Sequence, residues 1–229
     1  MSRTLWARGG KRVFELLGGL LLVILCSPIL AAAAVATKLT SPGPLFFEHV
    51  RTGRGGVEFG PCKFRTMTPG RKYDTVELIP LDHPEITPVG RLLRRTKIDE
   101  LPQLFNVVKG EMSLVGPRPD LPEHVAQYTP FKLRRLAVRP GLTGLAQVNG
   151  AAEISWDQRI RYDVHYIAHC SFWMDLKILL KTIGVIIHGE DRYARNFEDS
   201  PYYDPNELLG WDEHLKALDE PGPGEPTPP

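Results

Sequence analysis

The dominant feature of the hydropathy pattern is an uninterrupted apolar run near the start of the chain. Leu16 to Thr37 are 22 uncharged, mostly apolar residues, with Arg3, Arg8, Lys11 and Arg12 ahead of them and Lys38 behind. As a helix, such a run can cross a hydrocarbon core of roughly 30 Å, and basic residues ahead of it place the N-terminus in the cytoplasm. Ser27-Pro28 lies near its middle. Proline has no N–H and its ring crowds the carbonyl of Ile24, so the helix is predicted to break or kink there, while Ser27 can satisfy a freed carbonyl inside lipid. On the residues alone three readings stay open. They are a cleaved signal peptide, which the small residues Ala31–Ala36 suit, a spanning anchor, and a helix that dips in and returns to the same face.

Beyond the turn cluster Ser41-Pro-Gly-Pro44, the pattern shortens. Leu45–Arg51 and Val57–Thr66 read as two strands of a small β-hairpin around the Gly-rich segment 52–56. Met67 to Pro88 reads as an irregular loop. Helices are predicted over Val89–Arg95 and over Ile98–Val108, with Gly110 as the stop. Ser113–Leu121 cannot be regular helix, because it holds Gly116-Pro-Arg-Pro119. A helix over Pro122–Leu136 and a turn-rich loop at 139–144 follow, then helices over Ile154–His169 and Phe172–His188. The last carries Phe172, Trp173, Leu176, Leu179, Leu180, Ile183 and Ile187 at helical spacing, which fits a core helix or an amphipathic helix in a membrane interface. The predicted class is α+β, mostly helical, in three parts: a basic segment and membrane helix at 1–40, a catalytic domain at 41–197, and an acidic, Pro-rich tail at 198–229 expected to be disordered.

Composition sharpens this picture. At 229 residues, 42% hydrophobic and 24% charged, the chain can bury one ordinary core. Its net charge of +1 conceals an asymmetry, because the tail from Glu198 holds nine acidic residues against one lysine. The remaining body is strongly positive, so its partners are expected to be anionic, phosphates or lipid first. No zinc-finger or RNP-like motif supports nucleic acid. Cys26, Cys62 and Cys170 are scattered and unpaired in spacing, which argues against a disulfide framework.

The candidate chemistry centres on Asp99-Glu100. Two acids at a helix start ordinarily cap it, but Arg91, Arg94, Arg95 and Lys97 crowd the same stretch, and a phosphate could be held there while an acid reacts. Arg95, one turn from Asp99, could share a helix face with it. Arg118 sits between two prolines, on a stiff backbone suited to bidentate phosphate recognition. Lys63 and Arg65 flank Phe64 on a predicted strand, which would put both cations on one face. His165 and His169 have zinc-compatible spacing without an evident third ligand.

Five motifs occur in order: Lys63-Phe-Arg-Thr-Met67, Ile98-Asp-Glu-Leu-Pro-Gln103, Asn106 with Lys109-Gly-Glu-Met-Ser113, Val115-Gly-Pro-Arg-Pro119, and Arg139-Pro-Gly-Leu-Thr-Gly-Leu-Ala-Gln147. The set, spanning about Arg12 to Asn196, resembles the bacterial sugar transferase family, the monotopic polyprenyl-phosphate phosphoglycosyl transferases, in minimal form. The resemblance implies transfer of a sugar 1-phosphate from a nucleotide diphosphate sugar, such as a UDP-sugar, to undecaprenyl phosphate, as the first step of glycoconjugate assembly. It implies Asp99 as a nucleophile forming a covalent phosphosugar intermediate, with Glu100 as a magnesium ligand. Arg94, Arg118, Lys63, Arg65 and Gln147 are implied as substrate contacts. It further implies a re-entrant helix broken at Ser27-Pro28, interfacial amphipathic helices, and a catalytic domain on the cytoplasmic face of the inner membrane. Expected partners are the nucleotide sugar, the polyprenyl phosphate and membrane lipid. The oligomeric state stays open, a homodimer included. Two departures stand out: His49 where relatives commonly have glutamine, and Ala151-Ala152 where many carry Arg-Asn.

Overall fold

The computed structural model describes residues 6–68 and 82–205. Most of the expected 67–88 loop and the distal acidic tail lie outside them.

The apolar run forms one helix, α1 (Lys11–Thr40), longer at both ends than its apolar stretch. The helical run is not interrupted at Pro28. The Ser27 hydroxyl donates to the Ile24 carbonyl at 2.7 Å, the acceptor that a residue with an N–H at position 28 would have used. The hairpin comprises β1 (Phe46–Glu48), β2 (Arg51–Thr52), β3 (Glu58–Phe59) and β4 (Cys62–Phe64). β1 pairs antiparallel with β4 (Phe46 opposite Phe64), and β2 with β3 (Arg51 opposite Phe59) in the same register. Between them lies Pro61, which has no N–H to give the ladder. Gly55 and Gly56 turn the tip at φ +68° and +84°, a region glycine enters at no steric cost.

α2 (Pro88–Arg95) starts as predicted, with the Thr87 hydroxyl accepting from the Gly90 N–H. The next predicted helix is divided. Lys97 adopts a left-handed conformation (φ 57°), Ile98–Glu100 form a single 3₁₀ turn, and α3 (Gln103–Lys109) begins only beyond Pro102. Arg95 and Asp99 therefore do not share a helix face. Gly110 ends α3 in the left-handed conformation, as expected.

The predicted helix over Pro122–Leu136 is likewise not continuous. It splits into α4 (Pro122–Val125) and α5 (Pro130–Leu133), followed by a 3₁₀ turn. Pro130 disfavours helical backbone at Thr129, which instead caps the new helix. Two segments read as loops contain strands: β5 (Ser113–Val115) and β6 (Gly141–Thr143) pair in parallel. α6 (Trp156–His169) and α7 (Phe172–His188) complete the fold, each capped by a serine, Ser155 and Ser171.

The main core joins Leu104, Val107, Met112, Leu114, Leu145, Tyr162, Tyr166 and Ile178. α1 packs on it at Gly19, which lies against Val107 and Val108 of α3. Further along α1, Ala33 packs with Phe64 and Leu93 in a second cluster. The first residues of the expected disordered tail fold back on the domain: Tyr202 stacks edge-on against Tyr162, and Ser200 is buried. Here aromatic burial outweighs the acidic composition.

Candidate active site

The left-handed turn at Lys97 and the 3₁₀ turn after it aim the two acids differently. Glu100 Oε1 accepts from Lys63 Nζ at 2.6 Å and from Arg118 Nη2 at 2.8 Å, with Arg118 Nη1 at 3.4 Å from Oε2. Burial raises the Glu100 pKa, but the positive charges of Arg118 and Lys63 outweigh it and hold the carboxyl well below its usual range. Asp99 is only 9% exposed, and its Oδ1 has no hydrogen-bond partner among the described residues. Burial, then the negative charge of Glu100, pushes its pKa up to about 6, against opposing pulls from Lys63, Arg94 and Lys97.

Sequence neighbours have thus become chemically distinct. Glu100 is a permanent, paired anion, whereas Asp99 is a poised carboxyl with an unused oxygen. A buried polar atom without a partner is costly, so its presence beside a cationic cluster marks a reactive or ligand-binding group.

Of the other expected contacts, Lys63, Arg94 and Arg118 gather around this pair. Arg94 is oriented by Thr66, whose hydroxyl accepts from Nε at 2.9 Å. Arg65 is placed elsewhere. The Arg65 guanidinium donates to the Ser41 and Pro44 carbonyls just beyond α1, whereas Lys63 reaches Glu100. The Gln147 amide donates to the Leu142 carbonyl at 3.2 Å, and its buried Oε1 has no hydrogen-bond partner among the described residues. His165 and His169 stack at 4.2 Å, and among the described residues no three His, Cys, Asp or Glu side chains converge as a metal-binding group.

Sequence reasoning missed the groups that hold Arg118 in place. Arg135, nearly fully buried, donates through Nη2 to the Arg118 carbonyl at 3.0 Å and through Nε to Asp163 at 2.8 Å. It lies 5.0 Å from the Trp156 ring centroid. Tyr128 bridges Arg135 and Asp120, and the Asp120 carbonyl accepts from the Thr52 N–H at the hairpin tip. No local pattern marks Arg135 and Asp163, which are 28 residues apart. Arg51 and Arg159 also lie near: burial first, and then the charge of Arg118, lowers the pKa of each. The site concentrates positive charge around one buried acid with an unpartnered oxygen, an arrangement that could hold an anionic group.

A hard cation also fits. Magnesium is usually held by one or two carboxylates with substrate phosphates completing the shell. Glu100 Oε2 has only the longer Arg118 contact, so this oxygen could contribute.

The family profile described as bacterial sugar transferase matches residues 6–189. The chain is 43% identical over 180 residues to the uncharacterized sugar transferase EpsL of Bacillus subtilis, covering 79% of this chain and 88% of the relative. It is 43% identical over 192 residues to a UDP-glucose:undecaprenyl-phosphate glucose-1-phosphate transferase of Caulobacter vibrioides, covering 80% and 72%. A UDP-N-acetylgalactosamine-undecaprenyl-phosphate N-acetylgalactosaminephosphotransferase of Aeromonas hydrophila is 41% identical over 185 residues, 78% of this chain but 44% of that longer protein.

Proposed function

Because the chain belongs to the bacterial sugar transferase family, we propose the following reading of its site. The protein is a phosphoglycosyl transferase that moves a sugar 1-phosphate from a UDP-sugar to undecaprenyl phosphate. Asp99 is the nucleophile. One of its carboxylate oxygens attacks the β-phosphorus, an aspartyl–phosphosugar bond forms, and the P–O bond to the nucleoside monophosphate breaks. A phosphate oxygen of the polyprenyl acceptor then attacks the same phosphorus and returns Asp99 to its carboxylate. The observation that carries this assignment is the orphaned, buried Oδ1 of Asp99 beside a Glu100 already paired with two cations. A carboxylate locked between lysine and arginine is a poor nucleophile, and an unpaired one pays little desolvation on attack.

Lys63, Arg94 and Arg118 bind the diphosphate and oppose the charge that builds on the leaving phosphate. A magnesium ion held by Glu100 would neutralise further diphosphate charge when bound.

Contacts at both ends of α1 support a re-entrant helix. Near its start, Arg12 donates to the Val107 and Val108 carbonyls, and just past its end the Ser41 carbonyl accepts from Arg65. A spanning helix would carry one end about 30 Å across the bilayer, away from the domain that the other end touches. The exposed Leu17, Leu21, Ile24, Leu25 and Ile29 are left to face lipid. On α7, Trp173, Leu180, Ile183 and Ile187 form an exposed apolar stripe while Asp175 is buried, an arrangement suited to the membrane interface. The catalytic domain then lies on the cytoplasmic face of the inner membrane, with the reactive acid at headgroup depth.

The test is to incubate the purified full chain with magnesium and UDP-sugars radiolabelled in the sugar, without acceptor. Labelled protein with stoichiometric UMP release is expected. UMP release that needs acceptor, with no labelled protein at any time, would replace the covalent route by direct displacement.

A further inference from the structure

The first turn of α1 reaches into the domain beneath the Arg118 loop. Lys11 Nζ donates to the Val115 carbonyl at 2.9 Å, and the buried Tyr166 hydroxyl lies 3.1 Å from the same oxygen while donating to Asp175 Oδ1 at 2.7 Å. Val115 directly precedes Gly116-Pro-Arg118. The ammonium is itself fixed by Asp175 Oδ2 at 2.6 Å and by Glu15 Oε1 at 3.0 Å, both acids being almost fully buried. Trp6 donates to Asp175, and the Ser113 hydroxyl donates to Glu15. Two acids thus surround one lysine, with Arg139 near Glu15 at 3.5 Å. Such a cluster is rigid, since losing one member leaves a buried charge uncompensated.

The rest of the loop is held as firmly. The Gly116 N–H donates to the Thr143 carbonyl, the Pro117 carbonyl accepts from the Gly141 N–H, and the Arg118 carbonyl accepts from Arg135. A Cβ on Gly116 would come within 2.5 Å of the Arg139 carbonyl, so this backbone has no room to slide. The Arg118 side chain is left to reach toward Glu100.

We infer that Lys11 is a positioning residue for the transfer reaction, through which the membrane helix sets the placement of Arg118. The inference rests on the transferase reading above. Lys11 belongs to the element inserted in lipid, and Val115 lies three residues before the phosphate-binding guanidinium. A change in the seating of α1 is therefore conveyed to the site through one carbonyl. A lysine suits this task, because the three N–H groups of its ammonium serve a carbonyl, a phenol and the Asp175 carboxylate while Glu15 pairs with its charge.

The test uses the full chain in lipid nanodiscs, with Lys11→Met, Lys11→Arg, Tyr166→Phe and Arg118→Lys. Lys11→Met is expected to lower kcat at least about tenfold, with the KM for the UDP-sugar changed by less than about threefold, since displacing a catalytic contact by about 1 Å can cost up to 10²-fold. Lys11→Arg recovers part of the rate. Tyr166→Phe, which removes the hydroxyl lying between Lys11, Asp175 and the Val115 carbonyl and keeps the ring, has a smaller effect in the same direction. In the Arg118→Lys background, Lys11→Met is expected to cost much less, because both changes act on one contact. Equal fractional losses in the two backgrounds, or wild-type kcat in Lys11→Met and Tyr166→Phe, overturns the inference. A wild-type protein that transfers no sugar phosphate would instead count against the transferase reading.

Discussion

Asp99 and Glu100 are adjacent in the chain, yet Glu100 accepts from Lys63 and Arg118 while Asp99 keeps an unpaired oxygen in a buried position. The left-handed residue Lys97 and the 3₁₀ turn after it carry both acids, and of the two only Glu100 is hydrogen-bonded to the cations Lys63 and Arg118. Their difference in charge state follows from that geometry and leads to distinct outcomes for their variants.

Asp99→Asn is expected to abolish covalent labelling and to lower turnover on the order of 10³-fold or more, as loss of a nucleophile does. Glu100→Gln is expected to allow slow labelling while weakening the response to magnesium. Single-turnover quench experiments on both variants check this, and equal labelling by wild type and Asp99→Asn would remove Asp99 from its role.

The free enzyme should lose activity on the acidic side. Attack requires the Asp99 carboxylate, whose pKa is raised to about 6. kcat/KM for the UDP-sugar is therefore expected to fall with decreasing pH through about 6, with a slope of one proton. A profile that stays flat down to pH 5 contradicts this.

The same shift predicts an inverse effect on stability. Asp99 has a higher pKa folded than unfolded, so the folded state binds more protons between about pH 4 and 6 and loses stability as pH rises through that window. Asp99→Asn should then stabilise the protein at pH 7, by at most about 3 kcal/mol, and the gain should shrink at pH 4. Thermal unfolding at the two pH values measures it.

The buried pair beneath Arg118 is a second point of vulnerability. Arg135→Met leaves the Asp163 carboxyl without its partner in the core, at a cost of about 3–5 kcal/mol. Replacing both, as Arg135→Met with Asp163→Leu, should recover much of the stability without recovering turnover, because the Arg118 carbonyl remains unsupported. Denaturant unfolding alongside kcat separates the two effects.

For topology, single cysteines at Lys38 and at Arg8, in a background without the native cysteines, are expected to react with a membrane-impermeant maleimide only after the inner membrane is opened. Labelling of either from the periplasm refutes re-entry.

Features set by local chemistry were legible in the chain. The bounds of α7 agree at both ends because Ser171 caps one and Gly189 follows the other, and Gly110 stops α3 for the same kind of reason. The ordered motifs contain Lys63, Asp99, Glu100 and Arg118, and Arg94 stands in the basic stretch just ahead of the two acids. Where the reading failed, long-range pairing or proline decided. Pro130 divided an expected helix, and β5 and β6, three residues each, form only because they lie side by side.

The sequence by itself determined that a long apolar segment and a cationic, acid-bearing cluster belong to one chain, since hydropathy, charge and motif order are properties of neighbouring residues. Only the tertiary structure decided which acid is paired, that Arg65 clamps the end of α1, and that Lys11 and Arg135 support the Arg118 loop. Each of those depends on the distance between atoms far apart in the chain, and electrostatic energies fall with distance in space, not with separation in sequence.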